Sequence, residues 1–217
     1  SGDLDQNDGG LLNPNTINPS ASAWQDNSAH VVTVSTRPGS ASGIMAVHFE
    51  DLVIEAGFAR EASAPSGAPD PKVGGGLLCF AGDTSQGLAL TMNSCTVQGN
   101  FAKTSGGGVA SFGNGVVLRD CRVVGNAARF GAGYAGLGQT DDDSHSHLTA
   151  VWTLFSLNHV RLVSTGTPAG GGLGLGRTIA DVRNCVFHSN SASTGNATGR
   201  GGAIYVGDGS ILRASNN

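Results

Sequence analysis

Asn93-Ser-Cys-Thr-Val-Gln-Gly-Asn100 and Arg119-Asp-Cys-Arg-Val-Val-Gly-Asn126 are one eight-residue phrase written twice. Val151-Trp-Thr-Leu-Phe-Ser-Leu-Asn158 and Arg183-Asn-Cys-Val-Phe-His-Ser-Asn190 align with them without gaps, with a small residue third and Asn eighth. Glu50-Asp-Leu-Val-Ile-Glu-Ala-Gly57 reads as a degraded copy, and a sixth begins at Arg213-Ala-Ser-Asn-Asn217, which puts Ser215 in third place. Between copies stands a glycine block: Gly74-Gly-Gly, Gly106-Gly-Gly, Gly131-Ala-Gly, Gly170-Gly-Gly, Gly201-Gly-Ala. Cys121 follows Cys95 by 26 residues, Thr153 follows Cys121 by 32, and Cys185 follows Thr153 by 32. A helical repeat would not tolerate such drift, because paired helices fix its length. A β-solenoid coil lengthens in an external loop while its strands still stack.

The parity of the apolar residues locates the corners. Leu90 and Met92 alternate, Asn93-Ser94 intervene, and Cys95 and Val97 resume in the opposite phase. One face stays buried only if the chain bends at the polar pair. Val116/Leu118 before Cys121/Val123, and Ala180/Val182 before Cys185/Phe187, repeat the pattern. The Asn at eighth place is expected to mark a second corner. Asn tolerates the left-handed region and its amide can bond the next coil, while Ala102, Ala128, Val160 and Ala192 follow at an inward position. The glycine blocks then open a third side. The fold expected is all-β: a right-handed parallel β-helix, a pectate-lyase-like solenoid of about five or six coils.

Stacking turns these alignments into columns. Val97, Val123, Phe155 and Phe187 form one; Cys95, Cys121, Thr153 and Cys185 form another; Asn100, Asn126, Asn158 and Asn190 form a third. The cysteines read as reduced packing residues. A Cys95–Cys121 disulfide is the competing reading, but parallel Cβ vectors suit a dihedral near 90° poorly. No C-x-x-C pair points to zinc or redox chemistry.

Composition agrees. Thirty-five glycines without a Gly-X-Y period exclude collagen, and 13% charged residues are too few for a disordered chain. No apolar run is long enough to span a bilayer. The 12 Lys and Arg are scattered in a chain of net charge −4, which disfavours nucleic acid as a partner.

Phe187-His-Ser-Asn190 followed by Gly201-Gly-Ala-Ile204 resembles the paired FxxN and GGA[ILV] repeats of the chlamydial polymorphic membrane proteins. Phe155-Ser-Leu-Asn158 also fits FxxN. Val97-Gln-Gly-Asn100 and Val123-Val-Gly-Asn126 carry Val for Phe, and Gly106-Gly-Gly-Val109 carries Gly for Ala. The likeness covers residues 74 to 217. It implies a secreted or surface-displayed β-helix acting in adhesion or as a rigid stalk, with no catalytic residues to carry over.

Thr140-Asp-Asp-Asp-Ser-His-Ser-His147 is the most chemical-looking stretch. Asp141, Asp142 and Asp143 offer oxygens suited to Ca²⁺, and His145 and His147 offer imidazoles suited to a transition metal. Their spacing matches no specific metal motif, and a solvated loop that lengthens the third coil is the favoured reading over a metal site. Asn196-Ala-Thr198 is a glycosylation sequon, meaningful only in a secretory eukaryotic chain. Polysaccharide lysis needs carboxylates and a base converging on one strand face. The outward positions after the first bend offer only Glu55 and Arg122, which is too sparse. No nucleophile elbow is present, and the glycine runs lack the Gly-Lys-Ser/Thr ending of a phosphate loop.

Residues 1 to 30, with Asn13-Pro14 and Asn18-Pro19, read as an irregular segment or cap, and residues 31 to 217 as the β-helix. Ala62 to Pro71 reads as a protruding loop in the first coil. The sequence breaks off inside a coil at Asn217, so further repeats of the same chain or another subunit are expected on that open end. The expected function is a non-enzymatic structural or adhesive segment of a larger extracellular or surface protein, with no cofactor and with a glycan or cell-surface molecule as partner. A carbohydrate-binding or carbohydrate-degrading β-helix is the alternative.

Overall fold

In the computed structural model the described residues are 30–36, 43–59, 72–81, 87–138, 145–161, 168–192 and 199–217, and they contain strands and no helix. The strands form four parallel sheets. Sheet I pairs Val32–Ser35, Leu77–Phe80, Val109–Phe112, Tyr134–Leu137, Leu173–Gly176 and Ile204–Val206 in that order. Sheet II pairs Ile44–Glu50, Gly87–Asn93, Gly115–Arg119, Ser146–Val151, Thr178–Arg183 and Ile211–Ser215. Sheet III pairs Val53–Glu55, Thr96–Gln98, Arg122–Val124, Leu154–Ser156 and Val186–His188. Sheet IV pairs the two-residue strands Phe58–Ala59, Phe101–Ala102, Ala127–Ala128 and His159–Val160. The chain visits the four sheets in turn and then returns to sheet I one rung on, which makes this a parallel β-helix. Its cross-section has one more strand than the three sides expected, because the two residues after each eighth-place residue form their own ladder.

Register follows from burial. In sheet II, Leu90 lies between Val47 and Val116, and Met92 between Phe49 and Leu118, so the inward residues of successive coils are neighbours. Slipping any strand by one residue would turn this set to solvent. Val97, Val123, Phe155 and Phe187 are in register as expected, with Ile54 added at the start. The Phe155 and Phe187 rings stack at 5.0 Å and 6°. These columns form one continuous core, while Ala59, Ala102, Ala128, Val160 and Ala192 form a narrower one behind sheet IV.

The corners are made by single residues in the left-handed region. At the bend between sheets II and III these are Asp51, Ser94, Asp120, Trp152, Asn184 and Asn216, all with φ of 51 to 54°. At the second corner the left-handed residue is the one before eighth place: Ala56 before Gly57, and Gly99, Gly125, Leu157 and Ser189 before Asn. The expectation that Asn itself takes this conformation is therefore corrected. Its side chain is needed inside, and the preceding residue makes the turn. The sixth copy is corrected too. Ser215 pairs with Arg183 and Ala214 with Val182, so Asn217, not Ser215, follows Cys185 in third place. Inward Leu212 and Ala214 set that register, and Arg213 faces outward beside Asp181 rather than at the corner.

The glycine block serves close approach. A Cβ on Gly107 would lie 2.3 Å from the carbonyl oxygen of Ala127 on the next coil. Gly106, at φ +64°, turns the chain into sheet I.

Candidate functional site

Two polar ladders run inside the corners. At the first, each third-place side chain donates to the carbonyl two residues before it: Cys95 Sγ to Asn93 at 3.1 Å, Cys121 Sγ to Arg119 at 3.2 Å, Thr153 Oγ1 to Val151 at 3.2 Å and Cys185 Sγ to Arg183 at 3.3 Å. Cys121 and Thr153 also reach the preceding coil, at Met92 and Leu118. Position three thus needs a small side chain with one donor, which explains why Thr replaces Cys. All four residues are buried, and all four cysteines are free thiols. Burial pushes the Cys121 thiol up to about 11 and raises Cys185. Cys79, in sheet I, is pushed up to about 12, chiefly by burial. Such thiols stay protonated and unreactive near neutral pH.

At the second corner, Asn126 Oδ1 accepts the backbone N–H and the side-chain amide of Asn100, both at 3.0 Å. Its Nδ2 donates to Val97 O at 2.9 Å and to Asn158 Oδ1 at 3.1 Å. Asn158 and Asn190 continue the pattern, and the degraded first copy enters it through Gly57 N–H, which donates to Asn100 Oδ1. Asn100, Asn126 and Asn158 are fully buried with every amide group bonded, so the ladder carries no desolvation penalty for an unpaired group. Asn217 repeats this geometry at the first corner: it accepts from Cys185 N–H at 2.8 Å and donates to Val182 O at 3.1 Å.

These ladders are structural. Of the other site residues expected, Asp141, Asp142, Asp143 and Asn196 lie outside the described residues, as do 1–29 and 62–71. His145 is half-buried ahead of the sheet II strand Ser146–Val151. His147 points outward from that strand, between Gly115 and Ile179. Among the described residues no three His, Cys, Asp or Glu side chains are grouped to hold a metal ion.

The outer face of sheet III carries Val53, Thr96, Arg122, Leu154 and Val186 in one column and Glu55, Gln98, Val124, Ser156 and His188 in the other. Glu55 accepts from Gln98 at 2.8 Å. One rung departs from the rest. Trp152 takes a corner position that other coils give to Asp, Ser or Asn, and is 66% exposed. Leu157 takes the second corner at φ 56° and is 45% exposed. Reading the repeat for what it shares passed over both; the signal was the mismatch at turn positions, bulky apolar residues where the other copies carry short ones.

Comparison of the chain with protein-family models, with curated proteins and with solved structures gives no match.

Proposed function

We propose that this chain is a non-enzymatic scaffold of an extracellular or surface-exposed protein, a rigid rod whose lateral faces and loops meet other molecules. The observation that carries this reading is the pair of continuous internal ladders. Asn100, Asn126 and Asn158 are committed to neighbouring coils, and the core columns run through every described rung. Sequence variation is left to the outside, where loops change length without disturbing the stack. The likeness of Phe187–Asn190 and Gly201–Ile204 to repeats of adhesive surface proteins supports the same assignment.

Val206, in register with inward Leu175, is 43% exposed in the last described coil, whereas Ile211 belongs to the outward column of His147 and Ile179.

The test is a paired assay of the folded chain. Saturable retention on immobilised cell-surface glycoconjugates or matrix, without release of new reducing ends or unsaturated sugars from a polysaccharide panel, is the expected result. Catalytic turnover of any polysaccharide would overturn the scaffold reading.

A further inference from the structure

We infer that the rung centred on Trp152 is a binding site for an acidic glycan, with a pyranose ring stacked on the indole and its carboxylate held by Arg119 and Arg122. This rests on the scaffold reading and names the ligand class of one of its faces.

The corner column places the groups. Asp120 N–H donates to Val151 O at 3.0 Å, and Trp152 N–H donates to Arg183 O at 3.1 Å. Asp120, Trp152 and Asn184 therefore stand side by side on the outside of one corner, about 4.8 Å apart from rung to rung. All three are exposed. On the flanks, Arg119 is in register with Val151, and Arg122 with Leu154, so both guanidinium groups start one rung from the indole on either side of the corner. Both arginines are exposed, and neither forms an ion pair among the described residues. Arg183, on the other side, is held by Asp181. The chain as a whole has net charge −4, whereas Arg119 and Arg122 outnumber Asp120 here and leave a local excess of positive charge.

Backbone conformation argues against a turn filled by chance. Trp152 at φ 52° and Leu157 at φ 56° occupy a region that side chains with a Cβ enter reluctantly, and they do so at both ends of a single strand, Leu154–Ser156. Other rungs use Asp, Ser, Asn or Gly at one or both of these corners. The result is an exposed indole two residues before outward Leu154, with a second apolar group, Leu157, at the far corner.

The occupant follows from extent and chemistry. The apolar part is Trp152, Leu154, Leu157 and Val186, far short of the roughly 800 Å² per partner that a stable protein interface buries. A pyranose ring needs only one flat apolar surface for its C–H face and a few polar groups at its rim. Here the rim offers the Asp120 carboxylate and the Asn184 amide for hydroxyls. Two exposed guanidiniums, without an ion pair among the described residues, suit a sugar carboxylate, which they bind in forked, charge-assisted pairs.

The test is calorimetric titration of the whole chain with hyaluronan oligosaccharides, which carry a glucuronate carboxylate. Chito-oligosaccharides of equal length serve as the neutral control and polyglutamate as the anionic non-sugar control. Trp152→Asn restores a corner residue used elsewhere in the column, and Arg122→Gln removes charge with similar size, so neither endangers the fold. We expect hyaluronan to bind, each variant to weaken binding at least tenfold with unchanged circular dichroism, and both controls to bind at least tenfold more weakly. Equal binding by Trp152→Asn, or by the neutral oligomer, overturns the site as described, as does preferential binding of polyglutamate. Absence of hyaluronan binding by a chain that still adheres in the paired assay sinks this inference alone, whereas turnover of polysaccharide sinks the scaffold reading.

Discussion

Replacing Asn126 by Ala removes the middle of the amide ladder. The buried backbone N–H of Asn100 and one side-chain N–H of Asn100 lose their acceptor, and the carbonyl of Val97 loses its side-chain donor. Asn158 Oδ1 keeps the backbone N–H of residue 126 at 3.1 Å. Three buried groups are left short, each at a cost of about 1–3 kcal/mol, and a water entering the vacated space recovers part of it. We expect a net loss of about 3–5 kcal/mol, measured as the shift of the urea midpoint at constant slope. Asn126→Asp separates hydrogen bonding from shape. One carboxylate oxygen can still accept from Asn100, but the other faces Val97 O and Asn158 Oδ1, where only a donor is satisfied. The folded carboxyl is thus held above its unfolded value of about 3.9. Its contribution is fully present below that pH and is lost as pH rises. The gap between Asn126→Asp and the parent should be small near pH 4 and wide near pH 7. A loss below about 1 kcal/mol for the Ala variant, or a pH-independent gap for the Asp variant, would mean that the amide ladder does not hold the coils together.

Four further outcomes are expected. Cys79, Cys95, Cys121 and Cys185 should resist a thiol reagent in the native chain and all react once it unfolds; rapid labelling of any of them in buffer would count against the inward corner. Because burial holds the Cys79 and Cys121 thiols at about 12 and about 11, their contribution is complete below the unfolded thiol value of about 8.5 and is lost as pH climbs toward the folded values, so the denaturant midpoint should fall in alkali, and less steeply in Cys79→Ser. Gly107→Ala should cost about 3 kcal/mol in urea melts, since the new methyl meets a ladder carbonyl that cannot move alone. Trp152→Asn should raise stability by about 1 kcal/mol by relieving a strained corner, so a lower melting temperature would show that the indole supports the fold.

Much of this fold was legible because the inward positions obey strong constraints. The narrow corner takes Cys or Thr in four successive coils, the core columns take apolar residues, and the side-chain amide that bonds both neighbouring coils is Asn in the same four. These requirements recur at four successive rungs, so even irregular spacing did not hide them. What escaped depended on backbone torsion or on register without a strong anchor. The residue before Asn, not Asn itself, turns the chain at Gly99, Gly125, Leu157 and Ser189, a difference that apolar parity does not encode. The Arg at position 213 imitated Arg119 and Arg183, but it sits two residues early, and only the inward pairing of Leu212 with Ala180 reveals the true frame. Trp152 was hidden in plain view, because a search for sameness discards the rung that differs.

The central claim is that Asn100, Asn126, Asn158 and Asn190 bond one another through the body of the solenoid. Through-hydrogen-bond scalar couplings measured by NMR on the isotopically labelled chain test it directly. The backbone amides of Asn100, Asn126 and Asn158 should each correlate with the side-chain carbonyl carbon of the Asn one coil further on. Correlation of those amides with other carbonyl groups, or rapid exchange of their protons with solvent, would contradict it.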